Sequence, residues 1–356
     1  MKNTNIISSL KSAKWLKVGI VLIMQSYSIT LFAQPKTPTS IVALSKTDHT
    51  LAIVDLKTFK VTAKIPVGLD PHEVVVTPDG KTAYVSNTGS GKYHEINIID
   101  LANLKASGNI NTEPLYGPHG LAFTGGKLWF TTQGSKTIGR YNPYTSNVEW
   151  SVGTGQDMTH MLYVTKDTSH IYTTNVQSGT ISIFDHVLLP PTITPMGYAL
   201  PTAKPYLDWK QTVIAVAARI EGFDVTPDEK YLWAADPAVG SLYVIDLAEK
   251  KIINKIDAGM PGANRVKITP DGKRVLVSSL KTGDLFIFDK NSQKQLAKIN
   301  LGHGCAHILV EANGSRAFVA CTPDNYIAVV DLKTYKVAAH IDIGGRPDGM
   351  AFITQE

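Results

Sequence analysis

The chain has 356 residues, with 35 basic and 30 acidic side chains and two cysteines. Length alone suggests two domains, but all-β closed folds of this size commonly form one unit, so length does not settle the count. Four lysines precede a predicted cleavage point, leaving 31 basic against 30 acidic residues. A mature net charge near +1 removes the main reason to expect a nucleic-acid-binding field, and nucleic acid is disfavoured as a partner.

Residues 1–33 read as a signal peptide. Lys2, Lys11, Lys14 and Lys17 form a charged n-region without an acidic residue, Val18 to Met24 an apolar run, and Ala33 a small residue at the cleavage point. Gln25, Ser26, Ser28 and Thr30 interrupt the apolar stretch before the roughly 20 residues a spanning helix needs. Secretion is therefore favoured over anchoring. The expectation is a periplasmic or secreted protein with no membrane span in the mature chain.

Residues 34–356 carry an internal repeat. Pro71-His72-Glu73 opens an apolar stretch, Pro78-Asp79-Gly80-Lys81 makes a turn, and Thr82 to Asn87 form a second apolar stretch. The position of His72 recurs as His119, His160, Glu221, Asn264, Ala306 and Asp348, at intervals of 47, 41, 61, 43, 42 and 42 residues. Third stretches ending in Asp follow, such as Leu51 to Asp55 and Ile327 to Asp331, and then a more polar fourth. Four strands per period of about 42 residues is the arithmetic of a propeller blade. Asp55-x-x-Thr58 and Asp331-x-x-Thr334 read as turn capping rather than paired catalytic groups.

The chain finishes on a lone first strand, Asp348 to Ile353, whereas the mature N-terminus begins at a second strand near Ile41. Pairing the two closes a seven-bladed, all-β propeller with four antiparallel strands per blade and removes an exposed sheet edge. The long interval marks an insertion, residues 186–211, with Pro190, Pro191, Pro195, Pro201 and Pro205. It reads as a surface loop covering one face or as a partner-binding element.

These segments resemble the YVTN or YncE-like β-propeller repeat family, best at Pro71-His72 to Asn87, Pro118-His119-Gly120 to Gln133 and Thr269-Pro270-Asp271-Gly272-Lys273 to Ser279. The resemblance spans roughly residues 40–353 and implies the fold. Similar propellers include lactonases, antibiotic lyases, metal-enzyme domains, surface-layer proteins and periplasmic binding proteins, so it does not choose a function.

Seven first strands running the same way place His72, His119, His160, Glu221, Asn264, Ala306 and Asp348 around one mouth of the channel. Second-strand ends add Asn87, Gln133, Asn175 and Asp236, and nearby loops offer Arg219, Arg265 and Arg346. Such convergence suits a binding or active site. His72, His119 and His160, completed by Glu221, are candidates for a divalent metal, Zn or Cu, unless each histidine bonds a neighbouring blade's backbone. The arginines could hold a carboxylate or phosphate while a histidine acts as general acid or base.

Cys305 and Cys321 fall opposite each other when counted from Ala312-Asn313-Gly314, and export permits a disulfide, although a hydrogen-bonded pair is less favourable for bridging. His303, Cys305 and His307 on one face leave a local metal or redox site open. No Gly-x-Ser-x-Gly elbow, His-Glu-x-x-His helix, Walker loop or dinucleotide fingerprint occurs. The leading expectation is an exported binding propeller presenting its polar mouth to a small molecule or protein partner. The alternative is a lactonase, lyase or metal-dependent enzyme at the same mouth.

Overall fold

The computed structural model describes residues 38–191, 197 and 203–354; the expected signal peptide lies outside the described residues. Seven four-stranded antiparallel sheets follow one another, each with its first strand innermost. Blade 1 joins Pro347–Ile353 to Ser40–Ser45, Thr50–Asp55 and Val61–Pro66. Both chain ends thus complete one blade, as the unpaired terminal strands require. Blades 2 to 7 open at Pro71–Val76, Pro118–Thr124, Thr159–Val164, Phe223–Val225, Ala263–Ile268 and Cys305–Val310.

Alternating apolar residues on the inner three strands pack between neighbouring sheets. Phe318 and Val329 of blade 7, for instance, are buried with Ile41 and Val54 of blade 1. Fourth strands such as Lys251–Asp257 are largely exposed. The repeated turns behave as their composition dictates: Gly80, Gly272 and Gly314 adopt φ of 69°, 67° and 68°. At the equivalent point Glu229 is held at φ 55°, where a side chain is disfavoured. Asp55 accepts from Thr58 N at 2.7 Å and Asp331 from Thr334 N at 2.7 Å, the expected turn capping.

One irregularity shapes the inner wall. Near the mouth, two residues of the first strand oppose one residue of the second in six blades, as where His72 and Glu73 face Ser86 between the pairs Pro71↔Asn87 and Val74↔Val85. This β-bulge breaks the strict alternation of side chains, so consecutive residues turn toward the channel. It also strands an amide, and four blades use the opposing hydroxyl to capture it. Glu73 N donates to Ser86 Oγ at 3.2 Å, and Ser86 Oγ donates to the carbonyl of His119 in the next blade at 2.7 Å. Thr131 links Gly120 N to His160 O, Thr174 links Met161 N to Glu221 O, and Ser278 links Arg265 N to Ala306 O.

The bulge also revises the register around the cysteines. Pairs next to the turn are Val310↔Ala317 and Leu309↔Phe318, one step from the expected register, with a four-residue connection at 312–315. The bulge restores the step, and Cys305 pairs with Cys321.

The insertion differs from a simple loop. Its ends prolong the outer strands of blade 4 into a ribbon, Thr180–Leu189 paired with Tyr206–Ala215; residues 192–196 and 198–202 lie outside the described residues. Thr180 pairs with Asn175, and Asn175 with Thr159 at the mouth. Leu189 is therefore at the other end of the blade, and the ribbon leaves from the face opposite the mouth. Trp209 seats it on blade 3, with ring centroids 5.5 Å from Trp150 and 6.2 Å from Trp129.

If the hydroxyl relays join the blades, Ser278→Ala should cost roughly 1–3 kcal/mol, the penalty for leaving a buried polar group unpaired. Denaturant unfolding measures it, and Thr226→Ala, away from the channel wall, tests whether any comparable hydroxyl loss does the same.

Candidate functional site

The bulges build two tiers on the channel wall. The outer tier is His72, His119, His160, Glu221, Asn264, Ala306 and Asp348, which line a cavity of about 430 Å³ with Lys46, Asp70, Gln133 and Arg346. The inner tier is the next residue in each blade: Glu73, Gly120, Met161, Gly222, Arg265, His307 and Gly349. Its glycines are steric necessities. A Cβ at Gly120, Gly222 or Gly349 would come within 2.6, 2.0 or 2.4 Å of the next blade's backbone. Four bulky side chains share the remaining throat.

Across that throat Arg265 Nη2 donates to Glu73 Oε1 at 2.5 Å, and both are almost fully buried. His307 Nδ1 lies 3.5 Å from Glu73 Oε2. Burial pushes the Glu73 carboxyl up, but the Arg265 guanidinium and His307 bring it down to about 2. Burial likewise opposes the charge on Arg265, whose pKa is nevertheless raised by Glu73, Glu221 and Asp348.

Above the throat the three histidines lie in series, with centroids 5.0 Å apart for His72 and His119 and 3.8 Å for His119 and His160. His72 Nε2 is 2.5 Å from Lys46 Nζ and its Nδ1 is 3.0 Å from the Asp70 carbonyl. Those partners require a proton on Nδ1 in the neutral ring. Lys46 also lies 3.4 Å from both Asp70 and Asp348. His160 Nδ1 accepts from Gln133 Nε2 at 2.5 Å. Its Nε2 lies 3.3 Å from Glu221 Oε1, a charge contact whose alignment is too poor for a hydrogen bond. Burial pushes the Glu221 carboxyl up, but His160 and Arg265 outweigh it and hold the group well below the usual range. His119 is driven well below the ordinary imidazole value by burial, then by His160 and His72, so it is neutral.

The histidines thus have separate surroundings rather than three nitrogens converging on one point. Among the described residues no group of three or more metal-capable side chains is assembled. The three arginines are also apart in character. Arg265, expected in a loop, belongs to the strand Ala263–Ile268 and is buried. Arg219 and Arg346 are exposed, at φ 63° and 54°.

Three second-strand ends turn into their own blades because hydrogen-bond partners lie there. Asn87 donates to Asn97, Asn175 to Ser182, and Asp236 accepts from Ala238 N. Gln133, one residue past the strand Lys127–Thr132, reaches the mouth. His303 bonds Asp324 and His307 faces Glu73, so neither joins Cys305. Cys305 and Cys321 are buried, unbonded thiols with sulfurs 3.4 Å apart.

Glu73, Lys46 and His307 were not singled out as members of the mouth cluster from sequence. An alternating strand sends His72 and Glu73 to opposite faces, and only the bulge turns both inward. The bulge shows only in the structure, where Pro71 pairs with Asn87 while Val76 pairs with Ala83.

The fold and its ringed mouth define a seven-bladed β-propeller. Within that class, residues 21–188 match the YncE-like β-propeller family, in agreement with the repeat motifs. No curated protein matches the sequence. Among solved structures, a protein of unknown function from Desulfotomaculum acetoxidans DSM 771 superposes with a TM-score of 0.69 at 13% identity, covering 89% of this chain and 100% of its own. A 6-phosphogluconolactonase candidate from Bacteroides uniformis gives 0.70 at 15%, covering 89% and 100%. Kuenenia stuttgartiensis hydrazine synthase gives 0.63 at 15%, covering 79% and 88%. At such identities the likeness concerns the fold alone.

Glu73→Gln would strip the buried Arg265 guanidinium of its closest carboxylate, leaving Glu221 at 4.0 Å as the nearest, an expected loss of up to about 3–5 kcal/mol. The depressed Glu73 pKa implies stability fully present above the ordinary value of 4.5 and lost as pH falls toward about 2. Unfolding measured across that acid window should flatten in the variant relative to wild type.

Proposed function

We propose that this chain is an exported propeller whose mouth binds a small polar ligand. The observation supporting this reading is where unsatisfied polarity collects. Of nine buried side-chain nitrogen or oxygen atoms without a hydrogen-bond partner among the described residues, five belong to His119, His160, Arg265 and His307. His160 Nε2 and His307 Nδ1 at least face carboxylates at 3.3 and 3.5 Å, but His119 Nδ1 and Arg265 Nε have no acceptor or donor opposite them. A buried polar atom left unmet costs about 1–3 kcal/mol, so their place on one channel is hard to reconcile with a purely structural wall. The cavity above them has the volume of a small-molecule site rather than a protein-docking surface. Among the described residues no helix is long and apolar enough to cross a membrane.

A hydrolytic reading draws on one further contact. Glu221, which lines the cavity beside His160 Nε2, would be the carboxylate base that a lactonase or lyase requires. A screen of small polar metabolites by thermal shift, with the same compounds and simple lactones assayed for turnover, separates the two. Binding without turnover is expected in wild type, with the shift lost in His119→Leu. Turnover that falls about 100-fold or more in Glu221→Gln would instead establish the enzyme.

Export also makes Cys305 and Cys321 a proposed disulfide. Two thiols would surrender two protons and two electrons to an external disulfide donor as the S–S bond forms. Thiol titration of unfolded protein isolated from the exported fraction should find no free thiol before reduction and both afterwards.

A further inference from the structure

A second cavity, of about 840 Å³, continues from the mouth across blades 4, 5 and 6 and shares Met158, Glu221, Asn264 and Leu280 with it. Beyond the shared residues its wall includes Val176 and Pro237, and Leu280 is 45% exposed. Two cations border this groove: Arg219, on the link between blades 4 and 5, and Lys281, in the turn before Asp284–Asp289. Both are exposed, and among the described residues neither side chain has an anionic partner.

The inner end has the opposite character. Arg265 is matched there by Glu73, and Lys46 lies between Asp70 and Asp348. Glu221 holds its charge beside His160. An acid deep at that end would meet carboxylates whose cations are already engaged. Among the described residues Arg346 is the mouth-lining cation without a carboxylate partner, and it lies exposed on the rim between blades 7 and 1, outside the wall of the groove. An uncharged hydrogen-bonding group suits it better, because His119 and Arg265 retain unpartnered nitrogens. Along the groove the order is therefore neutral polar, apolar, cationic.

Resting on the ligand-binding reading above, we propose that the ligand is an extended amphipathic acid. Its neutral polar head would enter the mouth, an apolar segment would cross Met158 and Leu280, and its anionic end would meet Arg219 and Lys281. The polarity of the groove fixes this orientation by charge complementarity.

Calorimetric titration with 10-hydroxydecanoate, the neutral 1,10-decanediol and the short polar acid glycolate tests the idea. Two exposed charge contacts together should favour the long acid over the diol by about tenfold. The preference should vanish in the double variant Arg219→Gln, Lys281→Gln, while diol binding is retained. Equal affinity for acid and diol, or a preference that survives the double substitution, would overturn the proposal. If glycolate or a compound from the small-metabolite screen binds the mouth while 10-hydroxydecanoate gains nothing from its length, the extended-acid inference fails and the mouth-binding reading stands. If no compound of either set binds, both fall.

Discussion

The repeated β-bulge beside the mouth is the constraint on which the rest of the channel depends. In six blades it places two consecutive residues on the inner wall and leaves an amide without its ladder partner. A serine or threonine on the second strand accepts from that amide and donates onward to the next blade's carbonyl, at Ser86, Thr131, Thr174 and Ser278. The residue that satisfies a local defect thereby also fixes neighbouring blades relative to each other. Site geometry and the joining of four neighbouring blade pairs share one set of hydrogen bonds.

A second consequence is steric. Seven inner-tier side chains would not fit a channel whose neighbouring strands approach so closely, and glycine at positions 120, 222 and 349 relieves the crowding. The space is used by Glu73, Met161, Arg265 and His307, among them a buried ion pair across the channel. Such a pair adds little net stability over an apolar filling, because desolvation offsets most of the attraction. Its retention is more naturally connected with the cavity above, where it fixes a guanidinium with one face committed and other nitrogens unpartnered.

Much of the fold was legible because turn chemistry and strand spacing repeat. Pro78-Asp79-Gly80-Lys81 and its variants mark the turns, and the unmatched terminal strands imply the seam in blade 1. The site was legible only in its outer tier. His72, His119 and His160 do come together, but Asn87, Asn175 and Asp236 turn away because their hydrogen-bond partners lie within their own blades. Arg265 was recognised as a candidate yet misplaced in a loop, and Glu73 was read as part of a strand motif without a role. Both errors have one cause: a period-of-two strand hides the extra residue that a bulge inserts. The cysteine pairing illustrates the same point, since a uniform register reached the right partner while missing the shift and its reversal.

The bulge also explains why one molecule can keep its two faces distinct. At the mouth end, backbone irregularity turns side chains inward and produces a polar, unequal ring from nearly equal repeats. At the other end the turns are regular, with hydroxyl and carboxylate caps that repeat from blade to blade. The blade 4 ribbon grows from that regular end and is held by Trp209 against Trp129 and Trp150, with Arg140 over both of those rings. Extending the outer strands there leaves the inner strand and its bulge untouched. Added length in the strand-two to strand-three turns or in the links between blades, which lie at the mouth, would instead alter the ring, so this fold tolerates it without altering its site at the opposite end, where the strand-three to strand-four connection lies.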